Sequence, residues 1–183
     1  MTVARHRKGL VIVFTGDGKG KTTAAIGMSV RAAGHGMRVR IIQFIKGAWR
    51  TGEEAALRRL SPEIELTRAG RGFTIERLRD ERISDEEHAV AAKAGYADAR
   101  EVLTSGGADI LVLDEILGAV KAGLVTVPEV LQLIAQKPPA SHLVLTGRDA
   151  PAEIVDAADL VSEMRLVKHP FAAGVVAQKG VEF

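Results

Sequence analysis

Apolar positions in this chain fall into short runs that alternate between two periods. The first run, Leu10-Val11-Ile12-Val13-Phe14, is continuous and of strand length, and predicts a strand over residues 10–15. A helix-like pattern follows over residues 21–33 and stops at Gly34. Val39, Ile41, Ile42, Phe44 and Ile45 mark a second strand over 38–45. A short helix over 53–60 and a strand over 63–67 come next, then the glycine-containing loop Ala69-Gly70-Arg71-Gly72-Phe73. A long helical stretch runs from about 85 to 103, with Ser84 or Asp85 as its cap. Residues 109–114 read as a buried strand, 127–136 as a helix opened by Pro128, and 142–146 as a strand. A helix near 151–157 and a strand over 160–164 complete the series. Alternation of this kind implies a single α/β domain, a mostly parallel sheet with helices on both faces. Ligands of such sheets gather beyond the carboxyl ends of the strands.

The segment Thr15-Gly16-Asp17-Gly18-Lys19-Gly20-Lys21-Thr22-Thr23 stands at one of those ends, between the first strand and the first helix. Strand, glycine loop and helix in that order make a phosphate-binding loop. Glycines let backbone N–H groups turn onto an anion, and the helix start adds free N–H groups and the positive end of its dipole. Lys21 is placed to reach phosphate oxygens and Thr22 to ligate Mg²⁺. The template G-x-x-x-x-G-K-[ST] is met by Gly20-Lys21-Thr22, but Thr15 stands where its first glycine belongs. An ordinary glycine-rich turn is the competing explanation. Lys19 is read as a phosphate contact or a solvent-facing lysine. Asp17 is an acid inside an anion-binding loop, so it must point away, face the ribose, or act through the metal shell.

Two further strand ends carry matching chemistry. Leu111-Val112-Leu113-Asp114-Glu115 closes an apolar strand with two acids, where a carboxylate can meet Mg²⁺ directly or through water. Which of Asp114 and Glu115 is the direct ligand stays open at this level, as does the simpler possibility of acids in a solvated loop. Arg148, just beyond the strand 142–146, can fork onto phosphate oxygens or face solvent.

Composition narrows the rest. The chain has 183 residues, 46% hydrophobic and 26% charged, enough for one folded domain with a real core. Its net charge of +2 is too small to argue for nucleic acid. The absence of cysteine excludes disulfides, thiolate metal sites and a cysteine nucleophile. No apolar run approaches the roughly 20 residues that span a bilayer. The basic start Arg5-His6-Arg7-Lys8 precedes too short an apolar run for a signal peptide, so residues 1–8 read as a flexible basic tail and the chain as cytoplasmic.

Beyond these elements the chain resembles the P-loop corrinoid adenosyltransferases, over nearly all of its length from Gly9 to Phe183. The resemblance rests on the loop 15–23, Gln43-Phe44-Ile45-Lys46-Gly47, Gly72-Phe73-Thr74, Val112-Leu113-Asp114-Glu115 and Leu145-Thr146-Gly147-Arg148. It extends through the tail, in Val161-Ser162-Glu163-Met164-Arg165, Val167-Lys168-His169-Pro170-Phe171, Ala173-Gly174 and Ala177-Gln178-Lys179-Gly180-Val181-Glu182-Phe183. The Thr15 departure is itself typical of that family.

What the resemblance implies is a P-loop NTPase-like (RecA-like) domain over residues 9–183. Its reaction would be attack of a corrinoid Co(I) on the 5′ carbon of ATP, forming a Co–C bond and releasing triphosphate. Mg²⁺ or Mn²⁺ is the implied cation, and Lys21, Thr22, Glu115 and Arg148 are the implied catalytic groups. Arg31 matches a position near the nucleotide. Phe73 matches an apolar residue placed against the lower corrinoid face. Ile75 stands where members often carry tryptophan, which implies weaker displacement of the lower ligand or a substrate lacking the lower base. A homodimer and an electron-donating flavoprotein are the implied partners, with neither nucleic acid nor membrane. Lys46 and Trp49 are read as a rim or as packing residues, and His169 as a structural or corrinoid side-chain contact rather than a cobalt ligand. Two other functions compete: a P-loop hydrolase or small-molecule kinase cleaving the β–γ bond, and a non-catalytic module that binds ATP and corrinoid.

Overall fold

The structure is a computed structural model and describes residues 8–45, 51–70, 72 and 83–182. Six strands form one sheet: β1 (Val11–Thr15), β2 (Val39–Gln43), β3 (Ile64–Arg68), β4 (Ile110–Asp114), β5 (His142–Thr146) and β6 (Leu160–Glu163). Their spatial order is β3-β2-β4-β5-β1-β6, and every pairing is parallel. The helices are α1 (Lys21–Ala33), α2 (Gly52–Leu57), α3 (Asp85–Ser105), α4 (Ile116–Lys121), α5 (Val127–Gln136) and α6 (Ala152–Asp156). All strands run the same way, so the loops that follow them collect along one edge of the sheet.

The strands read as continuous apolar runs because both faces are covered. Ile12, Phe14, Val39, Ile41, Ile110, Val112 and Val144 point to one face, where Ala25 and Ala32 of α1 and Leu57 of α2 pack. Val13, Ile42, Leu111, Leu113, Leu143 and Leu145 point to the other. There they meet Ala92, Ala99 and Leu103 of α3, Ile116 and Leu117 of α4, Val130 and Leu133 of α5, and Ile154 of α6. Each of these side chains contributes about 1.5–3 kcal/mol when fully buried, except the alanines, which contribute less. Close approach matters as much as area. A Cβ added to Gly95 would lie 2.3 Å from Ala69 Cβ, so α3 settles against the β3 end through a glycine.

Helix starts follow their sequence signals. Ser84 caps α3 in a reciprocal box with Glu87, and Thr126 caps α5 in one with Glu129, each cap worth about 1 kcal/mol. The expected boundaries hold with three differences. β2 ends at Gln43, because Phe44 and Ile45 continue past the last pairing into the turn. The stretch 53–60 divides into α2 and a 3₁₀ turn, Arg58–Leu60. Helix α4 and the 3₁₀ turn Pro170–Ala173 were not anticipated. Lys8, the last residue of the basic tail, pairs with Asp159 at 2.5 Å.

No helix among the described residues is long and apolar enough to cross a membrane.

Candidate active site

The loop after β1 is shaped by two positive-φ glycines, Gly16 (φ 94°) and Gly20 (φ 119°). Thr15 is not one of the positive-φ positions, so a glycine there is not needed. Its hydroxyl instead accepts a hydrogen bond from the Ala150 N–H at 3.2 Å, tying β1 to the loop after β5. The chain beyond β6 lies against the glycine loop: Gly18 N–H donates to Met164 O at 2.7 Å, and Met164 N–H to Thr15 O at 2.8 Å. A Cβ on Gly16 would stand 2.5 Å from Met164 O, and one on Gly18 would stand 2.8 Å from the Arg165 carbonyl. Glycine at 16 and 18 is therefore demanded by packing from below, where the Gly18 N–H is also engaged.

α1 begins at Lys21 with no acid in its first turn and no side-chain cap. Its first N–H groups are left for an anion. The Lys21 side chain is buried and donates to Gly16 O at 2.6 Å and Gly18 O at 2.8 Å. Burial lowers its pKa; Glu115 and Asp17 oppose that shift, and Arg148 and Lys19 reinforce it. The ammonium thus holds the loop closed beneath the place where phosphates would lie.

Thr22, one residue on, reaches across to β4. Its Oγ1 donates to Asp114 Oδ1 at 2.8 Å. Asp114 is buried and is approached by two further donors: Thr146 Oγ1 at 2.8 Å on Oδ1, and Gln43 Nε2 at 3.1 Å on Oδ2. Glu115 differs from Asp114 in depth. It lines the open cavity, takes the left-handed conformation (φ 60°, ψ 22°) and serves as N-cap of α4. Its N–H donates to Thr146 Oγ1 at 2.8 Å. With Thr22 giving its proton to Asp114, the lone pairs of Oγ1 remain for a cation, and the Glu115 carboxylate shares the same cavity. A hydroxyl and a carboxylate are hard oxygen donors, and they suit Mg²⁺ or Mn²⁺ completed by phosphate oxygens and water.

The cavity itself holds about 550 Å³. Residues 17–23 form its floor; Glu115 and Arg148 stand on one side, Gly52 and Glu53 at the start of α2 on another. Gly180, Val181 and Glu182 close the remaining wall, where Glu182 faces Lys19 at 3.6 Å. A second cavity of about 640 Å³ lies along α3 beside Arg68, Gly70, Ser84 and Asp98. It contains none of the glycine-loop residues.

A family model described as ATP:corrinoid adenosyltransferase BtuR/CobO/CobP matches residues 7–183. The chain belongs to the ATP:corrinoid adenosyltransferase family. A corrinoid adenosyltransferase of Pseudomonas aeruginosa is 45% identical over 98% of this chain and 86% of its own length. One from Escherichia coli K12 is 39% identical over 98% of this chain and 88% of its own. Among solved structures, a KaiC-like protein from Pyrococcus horikoshii superposes with a TM-score of 0.50 over 85% of this chain and 73% of that one, at 16% identity. That likeness concerns the fold alone, and it agrees with the P-loop NTPase-like sheet.

Of the residues the adenosyltransferase resemblance marks, Asp17, Gly18, Lys19, Gly20, Lys21, Thr22, Thr23, Glu115 and Arg148 line one cavity. Thr15, Gly16 and Asp114 lie just behind it. Arg31 does not join them: it is exposed in the last turn of α1, ten residues beyond Lys21 and so about 15 Å along the helix axis. Phe73, Ile75, Lys46 and Trp49 lie outside the described residues. His169 accepts a hydrogen bond from the Phe171 N–H at 3.1 Å and so caps the 3₁₀ turn that follows it. Residue-level reading missed the roles of Gln43, Thr146 and Glu182. The first two carry a visible signal, since each is the polar residue that closes an apolar strand at the ligand edge, as Asp114 does.

Proposed function

We propose that this chain transfers the 5′-deoxyadenosyl group of ATP to the Co(I) of a reduced corrinoid. The cobalt lone pair attacks C5′, the Co–C bond forms, and the C5′–O bond breaks with its electron pair leaving on triphosphate. The observation that carries the reading is the single cavity joining Lys21, Thr22, Glu115 and Arg148 in a chain of this family.

The displacement calls for no side-chain nucleophile and no general base. The protein's task is to grip the polyphosphate so that C5′ is presented, and positioning of this kind is worth about 7–11 kcal/mol in favourable cases. The loop N–H groups and the start of α1 bind phosphate oxygens. Lys21 and Arg148 balance charge that builds on the leaving triphosphate. Thr22 and Glu115 would hold a Mg²⁺ or Mn²⁺ ion, with Asp114 orienting Thr22 from behind. Such an ion supplies Lewis-acid stabilisation of the leaving oxygens. Phe73 and Ile75 against the corrinoid belong to the same reading through the family resemblance; the resemblance also assigns Arg31 to the nucleotide, a contact it could make only with a part of the ligand lying beyond the cavity.

The chain acts in the cytoplasm as a homodimer of one catalytic domain, residues 9–183, and a flavoprotein supplies the electron that reduces the corrinoid cobalt to Co(I). Exposed Leu160 and Val161 on the edge strand β6 support self-association. Anaerobic mixing with ATP, Mg²⁺ and chemically reduced corrinoid tests the chemistry. A light-sensitive alkylcobalt spectrum with stoichiometric triphosphate is expected. Formation of ADP would instead assign a hydrolase or kinase, and binding without turnover a carrier module.

A further inference from the structure

Thr146 is fully buried at the end of β5, the strand that lies between β1 and β4. Its hydroxyl is used twice within the acid pair: Oγ1 donates to Asp114 Oδ1 and accepts from the Glu115 N–H, both at 2.8 Å. A core threonine needs only one backbone carbonyl to be satisfied, and this one is instead spent on two successive acids. The Glu115 backbone is left-handed, a conformation that costs a non-glycine residue roughly 1–2 kcal/mol and that persists only where its surroundings hold it. Next in the chain, Gly147 has φ 142°, and a Cβ there would lie 2.7 Å from Leu117 Cβ and 2.9 Å from Gly118 N. The end of β5 is thus pressed into the first turn of α4, and Thr146 is its only polar tip.

We propose that Thr146 is a positioning residue: through one hydroxyl it fixes the backbone turn that aims Glu115 into the cavity and the Asp114 carboxylate that orients Thr22. The proposal rests on the reading of Thr22 and Glu115 as holders of a divalent cation. Loss of the hydroxyl frees the Glu115 turn and removes one of the donors that fix Asp114 Oδ1, so the aim of both cation-facing groups loosens together. Outer partners of metal-binding groups typically contribute about 10–100-fold to metal affinity.

The test is Mn²⁺ binding in the presence of ATP and without corrinoid, followed by the paramagnetic signal of the ion, for wild type, Glu115→Gln, Thr146→Val and Thr146→Ser. Circular dichroism checks that each is folded. Thr146→Val is expected to weaken binding by about 10–100-fold, with Thr146→Ser close to wild type. If Glu115→Gln weakens binding and Thr146→Val does not, the Thr146 proposal is wrong while the cation reading stands. If Glu115→Gln binds as wild type does, the cation reading fails and takes the proposal with it. Equal loss in Thr146→Ser and Thr146→Val also overturns it, because the hydroxyl is then not what matters. Should Thr146→Val not fold, hydrogen exchange of the wild type decides: the Glu115 amide is expected to be as protected as those of β4, and exchange at the rate of a surface loop refutes the bond.

Discussion

Lys19 and Glu182 face one another across the mouth of the cavity, with Nζ 3.6 Å from Oε1. Glu182 is itself braced: Oε2 accepts from the Gln178 N–H at 2.7 Å, and this contact is the first cause of its lowered pKa. A carboxylate therefore occupies the lysine that an incoming phosphate would seek. Glu182→Gln is expected to tighten binding of inorganic tripolyphosphate severalfold at low salt, by removing a competing anion. Calorimetry at rising ionic strength should show the gain shrink as the charges are screened. A gain that is independent of salt would mean the tail acts by shape.

Replacing Thr15 by glycine would restore the usual loop template. The positive-φ positions are already Gly16 and Gly20, and Thr15 supplies the acceptor for Ala150 N–H. Thr15→Gly is therefore expected to gain nothing in nucleotide affinity. It should lose about 1–2 kcal/mol of stability, from a hydrogen bond and from strand entropy. Urea unfolding and ATP titration check the two halves separately.

Gly118 sits where an added Cβ would lie 3.1 Å from Glu115 Oε2 and 2.7 Å from Ile45 Cδ1. Both neighbours are side-chain tips, so Gly118→Ala should displace them rather than unfold α4. The Mg²⁺ concentration for half-maximal activity is expected to rise several-fold with little change in Tm. An unchanged Mg²⁺ requirement would show that the Glu115 carboxylate has room to spare.

At the opposite edge of the sheet, His142 Nδ1 accepts from the Leu10 N–H at 3.1 Å, which requires the neutral ring or at least an unprotonated Nδ1. Burial first, and Lys137 second, lower its pKa below the ordinary histidine value. The unfolded chain therefore binds a proton that the folded protein refuses, and stability falls as pH drops below about 6.5. Melting temperatures between pH 5 and 8 should show this slope. His142→Asn, which keeps an acceptor without titrating, is expected to flatten it and leave the active-site edge untouched.

By the family resemblance, Ile75 stands where a tryptophan is implied against the lower corrinoid face. Ile75→Trp is expected to raise activity with the complete, base-bearing cobalamin relative to an acceptor lacking the lower base. Assays with both acceptors test it, and an unchanged ratio counts against a role for this position in displacing the base.

Most of the sheet was legible because its strands are buried on both faces and so appear as uninterrupted apolar runs. Val11–Thr15, Ile110–Asp114 and His142–Thr146 needed no further signal. Helix α4 was not legible, for reasons visible in its residues. It has only six, its cap is a left-handed glutamate rather than Ser, Thr, Asp or Asn, and Gly118 stands inside it. Of the site, the loop and the acid pair were legible from spacing. The difference in depth between Asp114 and Glu115 was not: three side-chain donors converge on the first, and the second opens on the cavity. The approach of residues 180–182 was equally hidden, since a contact between the chain's two ends leaves no local pattern.

The position of β5 has a geometric consequence. Neighbouring strands lie about 4.8 Å apart, so the strand ends that carry the glycine loop and the acids are separated by about 10 Å rather than by one step. Thr22 bridges that span from above at 2.8 Å, and the intervening strand supports it from below. A wider gap would part hydroxyl and carboxylate, and a narrower one would crowd the glycine loop against the acids. The thickness of a single interposed strand sets the gauge of the site.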